Sequence, residues 1–92
     1  MCGIAGVYVK DRSHGFDLDA LSSYLLLGIE TRGRDATGYG VIDWEGQEKI
    51  EKYAVPAYTF NQFRDPITND ARIILLHARY TTQGTELENE NN

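Results

Sequence analysis

The chain has 92 residues, 41% of them hydrophobic, with nine basic against 14 acidic residues and a net charge of -5. A chain of this size holds one modest core and buries somewhat more than about 60% of its unfolded surface, while the negative balance opposes a nucleic-acid or anionic-membrane partner. The single cysteine, Cys2, cannot form an internal disulfide, which excludes a stapled secreted scaffold and leads us to expect a reducing compartment.

Taken in chain order, Ile4 to Val9 is rich in β-branched and aromatic residues and predicts a strand, followed by polar turn chemistry from Lys10 to Gly15. From Asp17 onward Leu18, Leu21, Leu25 and Ile29 recur at three- and four-residue spacing. This predicts an amphipathic helix with Asp17 as its N-cap, the stripe Leu18, Leu21 and Leu25 in the core, and Gly33 beyond its end. Tyr24 to Ile29, interrupted by Gly28, is the longest apolar run and falls far short of the roughly 20 residues of a spanning helix. The N-terminus lacks the basic stretch and apolar region of a signal peptide, so a cytoplasmic protein is expected.

Tyr39 to Asp43 and Ile50 to Val55 predict two strands joined by "WEGQE", where Gly46 can take the positive φ of a hairpin turn. Phe60 and Phe63 in "PAYTFNQFRD" predict a short helical turn against the core, stopped by Pro66. The continuous apolar middle of "ARIILLHARY" predicts a strand buried on both faces. After Gly84, "TELENENN" has too little apolar content to form a packed element, and "ELENE" reads as a solvated loop. With no internal repeat or linker, the alternation points to one α+β unit, cut within a loop and with unpaired sheet edges.

Cys2 raises a chemical question that its strand does not answer. The thiolate is a cysteine's nucleophilic form, and making it requires a base within hydrogen-bond reach, directly or through a water. A cysteine that becomes N-terminal when Met1 is removed carries its own base, since an α-amine with an ordinary pKa of about 7.7–8.0 is substantially neutral near physiological pH. The alternative is a small apolar residue at the start of a strand.

Three further motifs bear on that choice. "MCGIAG", "TRGRDATG" and "LLHARYTTQG" occur in this order, and together they closely resemble the glutaminase domain of class II glutamine amidotransferases, members of the N-terminal-nucleophile hydrolase superfamily. The resemblance is closest to glucosamine-6-phosphate synthase and related stand-alone glutaminase domains. It covers residues 1–92 as the N-terminal part of the family's domain and implies a four-layer αββα sandwich. By this resemblance Cys2 attacks the side-chain amide of L-glutamine, releasing ammonia for transfer to an acceptor and leaving a γ-glutamyl thioester for water to hydrolyse. Arg79 would hold the α-carboxylate of glutamine, for which a guanidinium fork is suited by its two parallel charge-assisted bonds. Tyr80 and Thr82 would line the same pocket. Arg32, Gly33 and Asp35 fill the second motif, with Gly33 admitting a close backbone approach and Arg32 and Asp35 ordering the turn as an ion pair. Arg32 read alone is equally a solvated cation at a helix end, and "TTQG" a plain turn.

Gln83 stands where glucosamine-6-phosphate synthases usually carry histidine, which leaves the subfamily open. The family's Asn-Gly pair, which supplies the oxyanion hole, does not occur in the sequence, and loss of even one such donor costs about 10²–10³ in rate. The family's aspartate for the substrate amine is also missing. We therefore expect the 92 residues to need a C-terminal completing segment or chain, and a synthase domain or chain to use the ammonia. His77 reads as a satisfied strand-end histidine and His14 as loop surface. Two histidines and one distant cysteine have no metal-ligand spacing, and no cofactor is implied. Two other classes stay open: another N-terminal cysteine amidohydrolase of the acylase type, and a non-catalytic binding or regulatory relative.

Overall fold

Four antiparallel strands and two helices make an α+β fold in the computed structural model, which describes residues 2–80. The strands are β1 (Cys2–Tyr8), β2 (Ala36–Asp43), β3 (Glu48–Tyr53) and β4 (Ala71–Arg79). They form one sheet in the order β1-β4-β2-β3, so β4 lies between β1 and β2. Helices α1 (Leu18–Ile29) and α2 (Ala57–Phe63) cover one face, and a 3-10 turn at Glu30–Arg32 leads from α1 toward β2.

Local chemistry sets the element boundaries. Asp17 caps α1 by accepting from the Ala20 N–H at 3.0 Å, satisfying one of the orphan donors of the first turn. The Leu18 N–H donates to Asn69 Oδ1 at 3.0 Å, which ties the start of α1 to the loop before β4. In the β2–β3 turn Asp43 Oδ1 accepts from the N–H groups of Glu45 and Gln47, and Gly46 has a φ of 86°, where a side chain would be strained. Pro56 sits at the N-cap of α2, and the helix ends at Phe63, well before Pro66.

Leu18 and Leu26 from α1, Phe60 from α2 and Ile74 and Leu76 from β4 form the centre of the core. Arg64 lies inside this layer with only 2% of its side chain exposed. It donates to Asp19 Oδ1 at 2.8 Å, Ser23 Oγ at 2.7 Å, Asn61 Oδ1 at 2.9 Å and the Asp65 carbonyl at 3.0 Å. Burial pushes the Asp19 carboxyl up, but the Ile67 N–H and the Arg64 guanidinium together bring it net below its ordinary value. This cluster bolts the end of α2 to the start of α1.

Some expectations need correction or sharpening. Leu21 is not in the core: the buried row of α1 runs Leu18, Ser22 and Leu26, one position round the helix, and Leu21 points outward while Leu25 is only partly buried. A buried serine hid that row from a reading based on apolar spacing. The helical turn expected against the core is α2, with Phe60 buried and Phe63 about half exposed, packing edge-on against Tyr53 and Phe60. β4 is central in the sheet but covered on one face only, with Leu75 left 59% exposed. His14 lies in a surface loop as expected, where its Nδ1 accepts from the Phe16 N–H and its Nε2 meets the Asn69 carbonyl, so the ring pins the loop before α1. β2 also begins three residues earlier than Tyr39, because pairing with β3 and β4 on both sides overrides the weak strand preference of Ala36 and Gly38.

Candidate functional site

Antiparallel pairing puts directly opposed residues on the same face, so the register fixes what shares the face that the helices leave open. At one end of the sheet Cys2 lies opposite Arg79, which in turn lies opposite Ala36. The next row on that face is Ile4, His77, Gly38 and Lys52, and the one after it Gly6, Leu75, Gly40 and Ile50. Cys2 is exposed, on an edge strand of the sheet.

The turn after α1 closes against this row. Gly33 is buried, and a side-chain carbon there would overlap the backbone of Arg79, so only glycine permits the approach. The Asp35 N–H donates to the Arg79 carbonyl at 2.9 Å. On the other side, a side-chain carbon at Gly3 would fall 2.8 Å from Arg32 Cβ and 2.9 Å from the Ile29 carbonyl. Segments around residues 2–3, 32–35 and 79 are therefore packed into one corner by backbone contacts, although the sequence separates them widely. Arg32 and Asp35 are both exposed, and the ion pairs among the described residues do not include one between them; the turn is held by its backbone. Tyr80 directly follows β4 and is 37% exposed. Thr82 and Gln83 lie outside the described residues.

Alongside this corner runs a groove of about 500 Å³ on the open face. Gly38 and Gly40 form its floor, Leu75 and His77 one wall, and Ile50 and Lys52 the other. Burial, and then the positive charges of Arg79 and Lys52, hold His77 below its ordinary pKa, so the ring stays neutral to lower pH than a free imidazole. The groove is thus apolar toward Leu75 and Ile50 and polar toward His77 and Lys52, with Arg79 one row further along β4 opposite Cys2. An exposed thiol beside a guanidinium suits nucleophilic attack on a small substrate that carries a carboxylate.

The groove was not legible in the sequence, since His77 and Lys52 meet only through β2. Its one signal is the two-residue spacing of Gly38 with Gly40 and of Leu75 with His77, which puts each pair on one face of a strand. A second cluster also escaped notice. Asp43, Glu45 and Asp70 bring carboxylate oxygens within 4.8 Å of one another at the far end of the sheet. Arg12 donates to Glu45 and to Asp70 at 2.9 Å each, neutralising part of that charge.

Protein-family models, curated proteins and solved structures yield no match to this chain. Among the described residues no helix is long and apolar enough to cross a membrane.

Proposed function

We propose that the chain is the N-terminal part of a class II glutamine amidotransferase domain, with Cys2 as its nucleophile. The observation that supports this reading best is the convergence of "MCGIAG", "TRGRDATG" and "LLHARY" on one corner, with Cys2 opposite Arg79 and Gly33 packed on the Arg79 backbone. Three segments carrying one family's motifs have no need to meet if each is merely a strand start, a helix end and a strand end.

Once Met1 is removed, the α-amine of Cys2 takes the thiol proton. The thiolate sulfur then bonds to the side-chain amide carbon of glutamine. Collapse of the tetrahedral intermediate breaks the C–N bond, and the amine returns its proton to the departing nitrogen, which leaves as ammonia. Water, deprotonated by the same amine, attacks the γ-glutamyl thioester and releases glutamate and the thiol. Arg79 holds the α-carboxylate by charge-assisted hydrogen bonds, Tyr80 and Thr82 line the pocket, and Gly33 with Asp35 keeps the Arg79 backbone in register.

In this reading the open sheet face receives a second sheet and the fold becomes an αββα sandwich. An antiparallel sheet with one face toward water ordinarily carries polar residues there, whereas this face carries Ile4 and Ile50, each 71% exposed, together with Leu75. The second layer also supplies the oxyanion donors that the 92 residues lack.

The test is intact-mass analysis before and after 6-diazo-5-oxo-L-norleucine, with Cys2→Ala as the control. The expected result is a chain without Met1 that gains one adduct, lost in the control, either alone or when co-expressed with a C-terminal half of a glutaminase domain. A chain without Met1 that gains none in either setting overturns the reading.

A further inference from the structure

The outward face of α1 carries no charge. Ala20, Leu21, Tyr24, Leu27 and Gly28 are all exposed, with Tyr24 75%, Leu27 46% and Leu21 37% open to solvent. They follow the three- and four-residue spacing of a stripe one helix wide, directly opposite the buried row of Leu18, Ser22 and Leu26. α1 is thus apolar on both sides, although the fold covers only one.

Size along the stripe is symmetric about Tyr24. Three residues away on either side stand Leu21 and Leu27, and four residues away stand Ala20 and Gly28. At 100° per residue Leu21 and Gly28 lie to one side of Tyr24 and Leu27 and Ala20 to the other. A two-fold axis through Tyr24 that brings two such helices together antiparallel sets Leu21 of one chain against Gly28 of its partner and Leu27 against Ala20. Each leucine meets a small residue, as close helix packing requires. Gly28, in the last turn of α1, has no steric reason among the described residues to be glycine, because a side-chain carbon there meets nothing within 4 Å, and glycine within a helix is otherwise unfavourable. The same pairing brings the exposed Asp17 at the start of one helix to the end of the other, where the exposed Arg32 lies.

We propose that this face of α1 is a homodimer interface, with the α1 helix of a second copy packed antiparallel across a two-fold axis at Tyr24. A self-complementary pattern favours a second copy over an unrelated helix. The acidic flank formed by Asp17 and Asp19 disfavours an anionic lipid surface. The central residues of the proposed interface, Leu21, Tyr24, Leu27 and Gly28, have no part in the glutaminase reading, so the proposal stands independently of it.

Sedimentation equilibrium of the full chain tests it. One helix pair is at the small end of specific interfaces, so a dimer with micromolar affinity is expected. Tyr24→Lys should raise the dissociation constant at least about thirtyfold, as loss of a central anchor does. Gly28→Gln should weaken the dimer as much while raising the denaturation midpoint of the monomer, since glutamine is the better helix former and its own chain leaves it room. That opposite pair of effects separates an interface from a folding defect. Leu75→Lys, on the open sheet face, should leave the dimer intact. A monomeric wild type, or a dimer that survives Tyr24→Lys and Gly28→Gln but is lost in Leu75→Lys, overturns the proposal.

Discussion

The face of the sheet turned toward α1 and α2 carries Thr37, Tyr39, Ile74, Leu76 and Ala78, all buried, whereas the opposite face carries Ile4, Ile50 and Leu75 with more than half of each exposed. Both faces come from the same strands, and successive residues of β4 alternate between them. Leu75 and Leu76 are adjacent, chemically identical and in opposite environments, so burial here is decided by what each face packs against. The covered face is a packed core in which Arg64, the one buried cation among the described residues, is fully hydrogen-bonded. The open face is apolar, uncovered and bears Cys2, Arg79 and His77.

This contrast is most sharply tested by paired truncations. Leu76→Ala should cost about 3 kcal/mol and Leu75→Ala no more than about 0.5 kcal/mol in chemical denaturation, because only the first leaves a cavity. Equal costs would show that the open face is covered in solution. Once a second sheet is bound, the cost of Leu75→Ala should rise toward that of its neighbour.

Arg64→Ala should cost about 3 kcal/mol by stranding the partners that tie α2 to α1, while Lys52→Ala on the open face stays within about 0.5 kcal/mol. A fall in the denaturation midpoint of similar size in both would break the contrast.

Glycines give a smaller effect of the same kind. Gly33→Ala forces the turn away from the Arg79 backbone and should cost about 2 kcal/mol, along with the adduct formation proposed above. At Gly40 the nearest heavy atom to a new side-chain carbon is Ile50 Cγ1 at 3.8 Å, so Gly40→Ala should be neutral or stabilising by up to about 0.5 kcal/mol. Thermal melts of the two variants measure the difference.

The two sides also respond to pH in separate windows. His77, on the open face, is held below its ordinary 6.5, so the unfolded chain takes up a proton first. Stability should fall as pH drops from about 6.5 toward the folded value and then level off, a limb that His77→Gln removes. Asp19, on the covered side, is held below 3.8, and its contribution is present above that value and lost as pH falls through it toward the folded value, a limb absent in Asp19→Asn. Denaturation midpoints across pH should resolve both. Covering the open face would bury His77 further and should extend the upper limb to lower pH, its onset staying near 6.5.

Features decided by neighbours in sequence were legible before the fold was known. Asp17 reads as a cap because its side chain reaches only three residues on, and Gly46 reads as a turn because its φ is a local matter. Leu21 and Leu75 were misread because apolar character says that a residue can be buried, not that something is there to bury it. Cys2, Gly33 and Arg79 could be singled out individually by motif, but their meeting depends on β4 inserting between β1 and β2, which no local signal encodes. The floor and walls of the groove, from three different strands, were hidden for the same reason.

The order β1-β4-β2-β3 also carries a consequence for the order of assembly. Among the described residues β1 pairs with β4 alone, so β1 has no strand partner until β4, about 60 residues later, has been made. At about 5–20 residues per second, translation keeps the Cys2 end unpaired for several seconds while α1 and the β2–β3 hairpin already have their local contacts. During that interval Cys2 is free of the sheet, and afterwards it is held at the sheet edge opposite Arg79. The topology thus makes the pairing of β1 a late event that waits on the strand carrying Arg79.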